Sequence, residues 1–154
     1  MKLFSNQGVR ELWAQSDLII WDGLYRMVAF DVGNKTVVFD LMAKVGAGGE
    51  ITSCICDHHE ISVILPDDAW QGRGKDVKHR EEYGPLKCIT FDVPLDVTVS
   101  GYLKPAISRL GEAGVSVTPQ CALIYDHVFI HERDLDTAQA VLKQLQVDAL
   151  RPQL

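Results

Sequence analysis

One repeated strand limits what this chain can fold into. Val28-Ala29-Phe30-Asp31-Val32 returns as Ile89-Thr90-Phe91-Asp92-Val93, 61 positions later (28 to 89). Both segments are apolar and partly β-branched, so both read as strands. Each is followed by a helix-length segment, Lys35–Val45 and Leu103–Ala113. Glycine closes both helices, in Gly46-Ala47-Gly48-Gly49 and in Gly114, as a left-handed stop requires. Strands are then expected at Ile51–Cys56 and Val115–Leu123. Each turns through polar residues, Asp57-His58-His59-Glu60 and Tyr125-Asp126-His127, into a return strand at Ile61–Leu65 or Val128–Ile130. The order β-α-β-β therefore occurs twice. Solenoids use shorter periods and at least three copies, so the pattern predicts a duplicated α+β module instead.

The second copy continues into a helix from Asp134, with Leu135, Ala138, Leu142 and Leu145 on one face and Asp134 as its cap. The first copy offers one turn at most, Asp67–Gly74, before Gly72-Arg73-Gly74 breaks it. Val77–Tyr83 reads as a polar strand before the second copy. No fourth strand follows the last helix. Ser16–Trp21 is expected to supply it by crossing over from the first side of the chain. Ser5–Gln15 reads as a short amphipathic helix with Val9, Leu12 and Trp13 inward.

Composition narrows the function classes. The 154 residues are 47% hydrophobic and 23% charged, which excludes a disordered tail or a collagenous repeat. Fifteen Lys and Arg against 21 Asp and Glu give a net charge of −6, so the basic footprint of a nucleic-acid binder is missing, and an anionic membrane is disfavoured. No apolar run approaches the roughly 18 residues of a membrane span, and residues 1–7 carry no signal-peptide core. Four cysteines, at 54, 56, 88 and 121, are too few and too scattered for a secreted disulfide framework. The expectation is a cytoplasmic protein with reduced thiols.

The stretch Pro94-Leu95-Asp96-Val97-Thr98-Val99-Ser100-Gly101 resembles the strand-to-helix loop of tandem ACT-like domain proteins. Within that group it is most similar to small bacterial relatives of the cytosolic arginine sensors. Gly111-Glu112-Ala113-Gly114-Val115-Ser116-Val117 resembles that family's helix exit, and Tyr125–Ile130 with Glu132-Arg133-Asp134-Leu135 resembles its second hairpin and last helix. The likeness is strong over residues 86–146, weaker over 17–83, and absent over 1–16. It implies an α+β protein of two ferredoxin-like βαββαβ (ACT-type) modules with antiparallel sheets, an extension at 1–16, a first module at 17–83 and a second at 84–154. It also implies effector binding rather than catalysis: an amino acid held where two modules meet, its carboxylate on backbone N–H groups at a helix start and its amino group on an acidic side chain. A helix start suits the carboxylate, since it carries unpaired donors and partial positive charge. Carried over position by position, the ligand set is Asp96, Val99, Ser100, Gly101 and Asp126. Two features depart from the family. Pro105 removes a donor in the first turns, so the helix either starts near Lys104 or bends. Cys121, Ala122, Leu123 and Ile124 replace small polar residues before the hairpin and make the site more apolar.

Other motifs favour plain readings. Cys54-x-Cys56-x-His58 places three metal-type side chains on one strand face, but no second pair completes a zinc set, so core cysteines beside a polar turn are expected and no metal. A Cys121–His127 nucleophile pair lacks an orienting third group. Gly46–Gly49 ends a helix rather than opening one and lacks the Lys-Ser/Thr of a phosphate loop. The sequence thus predicts a small-molecule sensor or regulator without cofactor or catalytic residue, with a homodimer left open. The alternative is an interaction or structural module with a decayed ligand site; a small cysteine- or metal-dependent enzyme stands third.

Overall fold

A computed structural model describes residues 3–151. They form two compact units, one of residues 22–87 and one that joins residues 3–21 to 88–151. The architecture is α+β with antiparallel strand pairing.

In the 22–87 unit the elements are β2 (Tyr25–Phe30), α2 (Lys35–Val45), β3 (Ser53–Cys56), β4 (Ile61–Pro66), a single turn α3 (Asp67–Ala69) and the first half of β5 (Glu81–Asp92). The strand order is β3-β4-β2-β5. Val38, Leu41 and Val45 lie at helical spacing and are the buried face of α2. They close over Val28 and Phe30 of β2 and Ile61, Val63 and Leu65 of β4. Helix α2 keeps the predicted bounds, and the left-handed stop falls on Gly49 at φ 86°. The turn after β4 continues as a π-helical turn, Trp70–Gly74, anchored by the buried Trp70, whose Nε1 donates to Glu82 Oε2 at 2.6 Å. Arg26 Nε donates to Asp67 Oδ1 at 2.8 Å beside it.

The other unit holds α1 (Gln7–Gln15), β1 (Asp17–Ile20), the second half of β5, α4 (Lys104–Glu112), β6 (Val117–Cys121), β7 (Asp126–His131) and α5 (Leu135–Leu150). Its strand order is β1-β5-β7-β6. Strand β1 pairs antiparallel with β5, Asp17 opposite Asp92 and Ile20 opposite Ile89, so the N-terminal strand takes the predicted edge position. Phe91, Val128, Ile130, Leu110, Leu142 and Leu145 centre the core. Helix α1 is capped by Asn6, whose Oδ1 accepts from Val9 N at 2.9 Å. It buries Val9 and Trp13 as expected. Its Arg10 donates to the carbonyls of Ala149 (2.9 Å) and Asp148 (3.1 Å), which satisfies the unpaired end of α5.

Three local expectations need correction. Asp134 makes no side-chain cap bond; a 3₁₀ turn, Glu132–Asp134, leads into α5 instead. Val77–Tyr83 is not a separate strand: β5 begins at Glu81 and runs through Gly84-Pro85 to Asp92, because β2 pairs with its first half and β1 with its second. Of the four cysteines only Cys88 is buried; Cys54, Cys56 and Cys121 are exposed. Both β3 and β6 end their sheet orders, and an edge strand is covered on fewer sides than a central one.

Candidate functional site

The loop that follows β5 and the hairpin between β6 and β7 belong to the same unit and are joined by a backbone bond, Leu95 N to Ile124 O at 2.8 Å. Ala122 N donates to Tyr125 O at 3.0 Å and closes the hairpin turn. In the loop, the Asp96 carboxylate accepts from Thr98 Oγ1 (2.6 Å) and Thr98 N (2.8 Å), while Val99 N donates to Asp96 O (2.9 Å). This is the side-chain-closed turn that aspartate favours. The Thr98 hydroxyl, then the Thr98 amide, hold the Asp96 carboxyl below its ordinary range.

Asp126 is half-buried at the start of β7, directly opposite Cys121. Burial first, then the hydrogen bond and charge of Asp126, push the Cys121 thiol up to about 11. The same charge adds to burial in raising the Tyr102 hydroxyl well above its ordinary range, against the opposing Ser16 bond. Ser16 Oγ gives its one proton to Leu12 O at 2.9 Å, so it is Tyr102 that donates to Ser16. Next to Asp126, His127 Nδ1 lies 2.8 Å from Thr90 Oγ1, which also accepts from Trp21 Nε1 at 2.8 Å. Burial lowers the His127 pKa and the Asp126 charge partly restores it, so the ring is mainly neutral at pH 7.

The five predicted residues are thus brought onto one joined loop and hairpin, but in unequal roles. Asp96 and Asp126 present carboxylates. Val99 is half-buried and packs against the core cluster. Ser100 and Gly101 do not open the helix. Helix α4 starts at Lys104 with Pro105 in its first turn, and its N-cap is Leu103, which makes no side-chain cap bond. Proline's fixed φ and missing donor suit the first turn of a helix, not its interior. Gly101 sits at φ 81°, the left-handed region, and a Cβ there would stand 3.1 Å from Ser5 Oγ. The close approach that this glycine permits is therefore to the chain's own Ser5.

Sequence reasoning placed Trp13 inward but gave no site role to it or to Ser16, Tyr102 and Thr90. Trp13 stacks on Tyr102 with ring centroids 5.3 Å apart and donates Nε1 to Tyr102 O at 2.8 Å. Only Thr90, a polar residue within an apolar strand, left a readable sign. Beside the two carboxylates, Val97, Leu123, Ile124 and Tyr125 are exposed. The arrangement suits a cationic group flanked by apolar surface. Open grooves lie elsewhere. One of about 480 Å³ runs between α4 and α5, lined by Arg109, Glu112, Val141 and Asp148, and two lie beside α2 around Lys44 and Arg73. None of the five residues lines them. Among the described residues no group of three or more His, Cys, Asp or Glu could hold a metal ion. No described helix is long and apolar enough to cross a membrane.

No protein-family model and no curated protein matches the chain. Solved structures do. A Vibrio cholerae protein of unknown function, described as a possible transport protein, aligns at TM-score 0.68 and 17% identity over 90% of this chain and 95% of its own. An Agrobacterium tumefaciens protein aligns at TM-score 0.67 and 20% identity, over 85% and 89% of the two chains. The regulatory subunit of aspartate kinase from Thermus flavus aligns at TM-score 0.59 and 9% identity, over 83% and 95%. What is shared at these identities is the fold, and it is an ACT-like one.

Proposed function

We propose that this chain is a small-molecule-binding regulatory protein whose two compact units are ferredoxin-like, ACT-type modules, and that its ligand is an amino acid. The carrying observation is the likeness to a regulatory subunit over 83% of this chain and 95% of that one. The strand orders β3-β4-β2-β5 and β1-β5-β7-β6 support two modules of one kind, with β1 in the place of the second module's last strand. The ligand is held on the unit that joins residues 3–21 to 88–151. Asp126 takes its ammonium and the loop Asp96–Gly101 forms the adjoining wall. The protein acts by binding and not by catalysis. The Cys121 thiol, beside the Asp126 carboxylate, and the buried Tyr102 hydroxyl both stay protonated at pH 7, which supports this for those two groups.

A thermal-shift screen against the proteinogenic amino acids tests the reading. Ligand at about 100 times Kd adds about 2.7 kcal/mol to the native state. At about 2–4 °C per kcal/mol for a chain of this size, the midpoint rises by about 5–11 °C. Asp126→Ala should weaken binding by about 1.5–3 kcal/mol, the worth of a charge-assisted contact. No shift with any amino acid would refute the proposal. The exposed Val97, Leu123, Ile124 and Tyr125 favour the second reading, an interaction module. That reading requires capture of a defined partner without ligand, lost in Leu123→Asp.

A further inference from the structure

We propose that Cys54 and Cys56 form a two-thiolate site for a soft, two-coordinate metal ion of the Cu(I) type. The inference is independent of the amino-acid site.

The two cysteines are alternate residues of β3, so their side chains leave the same face of the strand. They stand opposite Val63 and Ile61 of β4. Because β3 ends its sheet order, both thiols are exposed and an ion can reach them. Two residues of strand rise by about 6.6 Å, and the Cβ atoms of alternate residues point the same way. A disulfide needs Cβ atoms about 3.5–4.5 Å apart, which the strand reaches only by buckling. A sulfur–metal–sulfur bridge spans about 4.6 Å, twice a metal–thiolate bond of about 2.3 Å. Thiols that lean together reach that span with the ladder to β4 intact. The geometry therefore favours a bridging ion over an S–S bond.

The ligand count selects the ion. Among the described residues no third His, Cys, Asp or Glu joins the pair, which leaves tetrahedral zinc short of ligands. Soft thiolates select Cu(I), for which two suffice. On binding, two S–H bonds break and two S–Cu bonds form: Cu⁺ + 2 RSH → [Cu(SR)₂]⁻ + 2 H⁺. Copper stays monovalent and no oxidant or reductant is consumed. The other two cysteines have no such partner: Cys88 is buried, and Cys121 faces Asp126.

The test is anaerobic Cu(I) titration of the full chain against a colorimetric Cu(I) chelator. One equivalent per chain is expected, with affinity rising about 100-fold per pH unit below the thiol pKa values, since two protons leave. Cys54→Ser and Cys56→Ser should each weaken binding at least tenfold. Both replacements are at exposed positions, and their thermal midpoints verify folding. Cys121→Ser should bind as the parent does. Four results would overturn the site: single replacements within twofold of the parent, loss in Cys121→Ser, a tenfold pH slope that reports one thiol, or half an equivalent per chain, which places the ion between copies.

Discussion

Trp13 gives the strongest test of how the N-terminal helix is held. Its side chain is fully buried, stacks on Tyr102, meets Phe91 edge-on at 5.3 Å and donates to Tyr102 O. Truncating a buried tryptophan to alanine costs about 3–5 kcal/mol through lost burial and a residual cavity. Trp13→Phe keeps most of the ring and removes the donor. It leaves a buried carbonyl unpaired, at about 1–3 kcal/mol. For a chain of this size about 2–4 °C accompanies each kcal/mol, so Trp13→Ala should melt about 6–20 °C lower and Trp13→Phe about 2–12 °C lower. Urea unfolding followed by far-UV circular dichroism gives the free energies. The remaining tryptophans, Trp21 and Trp70, supply an independent fluorescence signal. If Trp13→Ala stays within 1 kcal/mol of the parent, α1 is not part of this core. Equal costs for the two replacements would show that the hydrogen bond, not the ring, carries the effect.

Other consequences can be measured separately. The native His127 pKa lies below the ordinary 6.5, so between the two values the unfolded chain binds more protons. Stability should therefore be fully present above pH 6.5 and fall as the pH drops through that window, and His127→Gln should flatten this slope in urea titrations. Asp126→Asn removes both a bond and a charge that raise the Cys121 thiol. Alkylation of Cys121 at pH 9, in a background lacking Cys54 and Cys56, should become faster; an unchanged rate would remove Asp126 from contact with the thiol. Gly101→Ala forces a side chain into the left-handed region beside Ser5 and should cost about 1–2 kcal/mol. Adding Ser5→Gly should recover only part of that loss.

The repeated strand was readable because local pattern alone reports it. The bounds of α2 and the buried face of α5, with Ala138, Leu142 and Leu145, follow from periodicity and glycine stops. Pro105 left two readings open, a helix start near Lys104 or a bend, and the structure takes the first. The strand expected at Val77–Tyr83 stops short of the second copy, yet β5 runs on through Gly84-Pro85, since β2 pairs with residues 81–86 and β1 with residues 89–92. Pairing partners are long-range facts, and strand propensity depends on them. The cysteines failed for a related reason. Apolar neighbours such as Ile55 identify a strand but not its place in the sheet, and β3 lies at an end, with Ile55 itself 55% exposed.

The surroundings of the candidate site were the least legible because they are assembled across the sequence. Gly101 is left-handed beside Ser5, Tyr102 is stacked by Trp13 and hydrogen-bonded to Ser16, and Thr90 is met by Trp21. Each partner comes from residues 5–21, of which 5–16 have no counterpart in the family resemblance. Composition and periodicity assign that stretch a helix and a sheet-completing strand but no part in the site. Its packing gives it one. Position 101 favours glycine because its φ is left-handed and a Cβ would crowd Ser5, and the Tyr102 hydroxyl donates to Ser16 because Ser16 has already given its own proton to Leu12. The loop that carries Asp96 is thus held from one side by the N-terminal segment and from the other by the Leu95–Ile124 bond. Any ligand that uses Asp96 and Asp126 meets a wall whose shape residues 5–16 help to set. Ser5→Gly, Trp13→Phe and Ser16→Ala should therefore alter ligand affinity without touching the ligand.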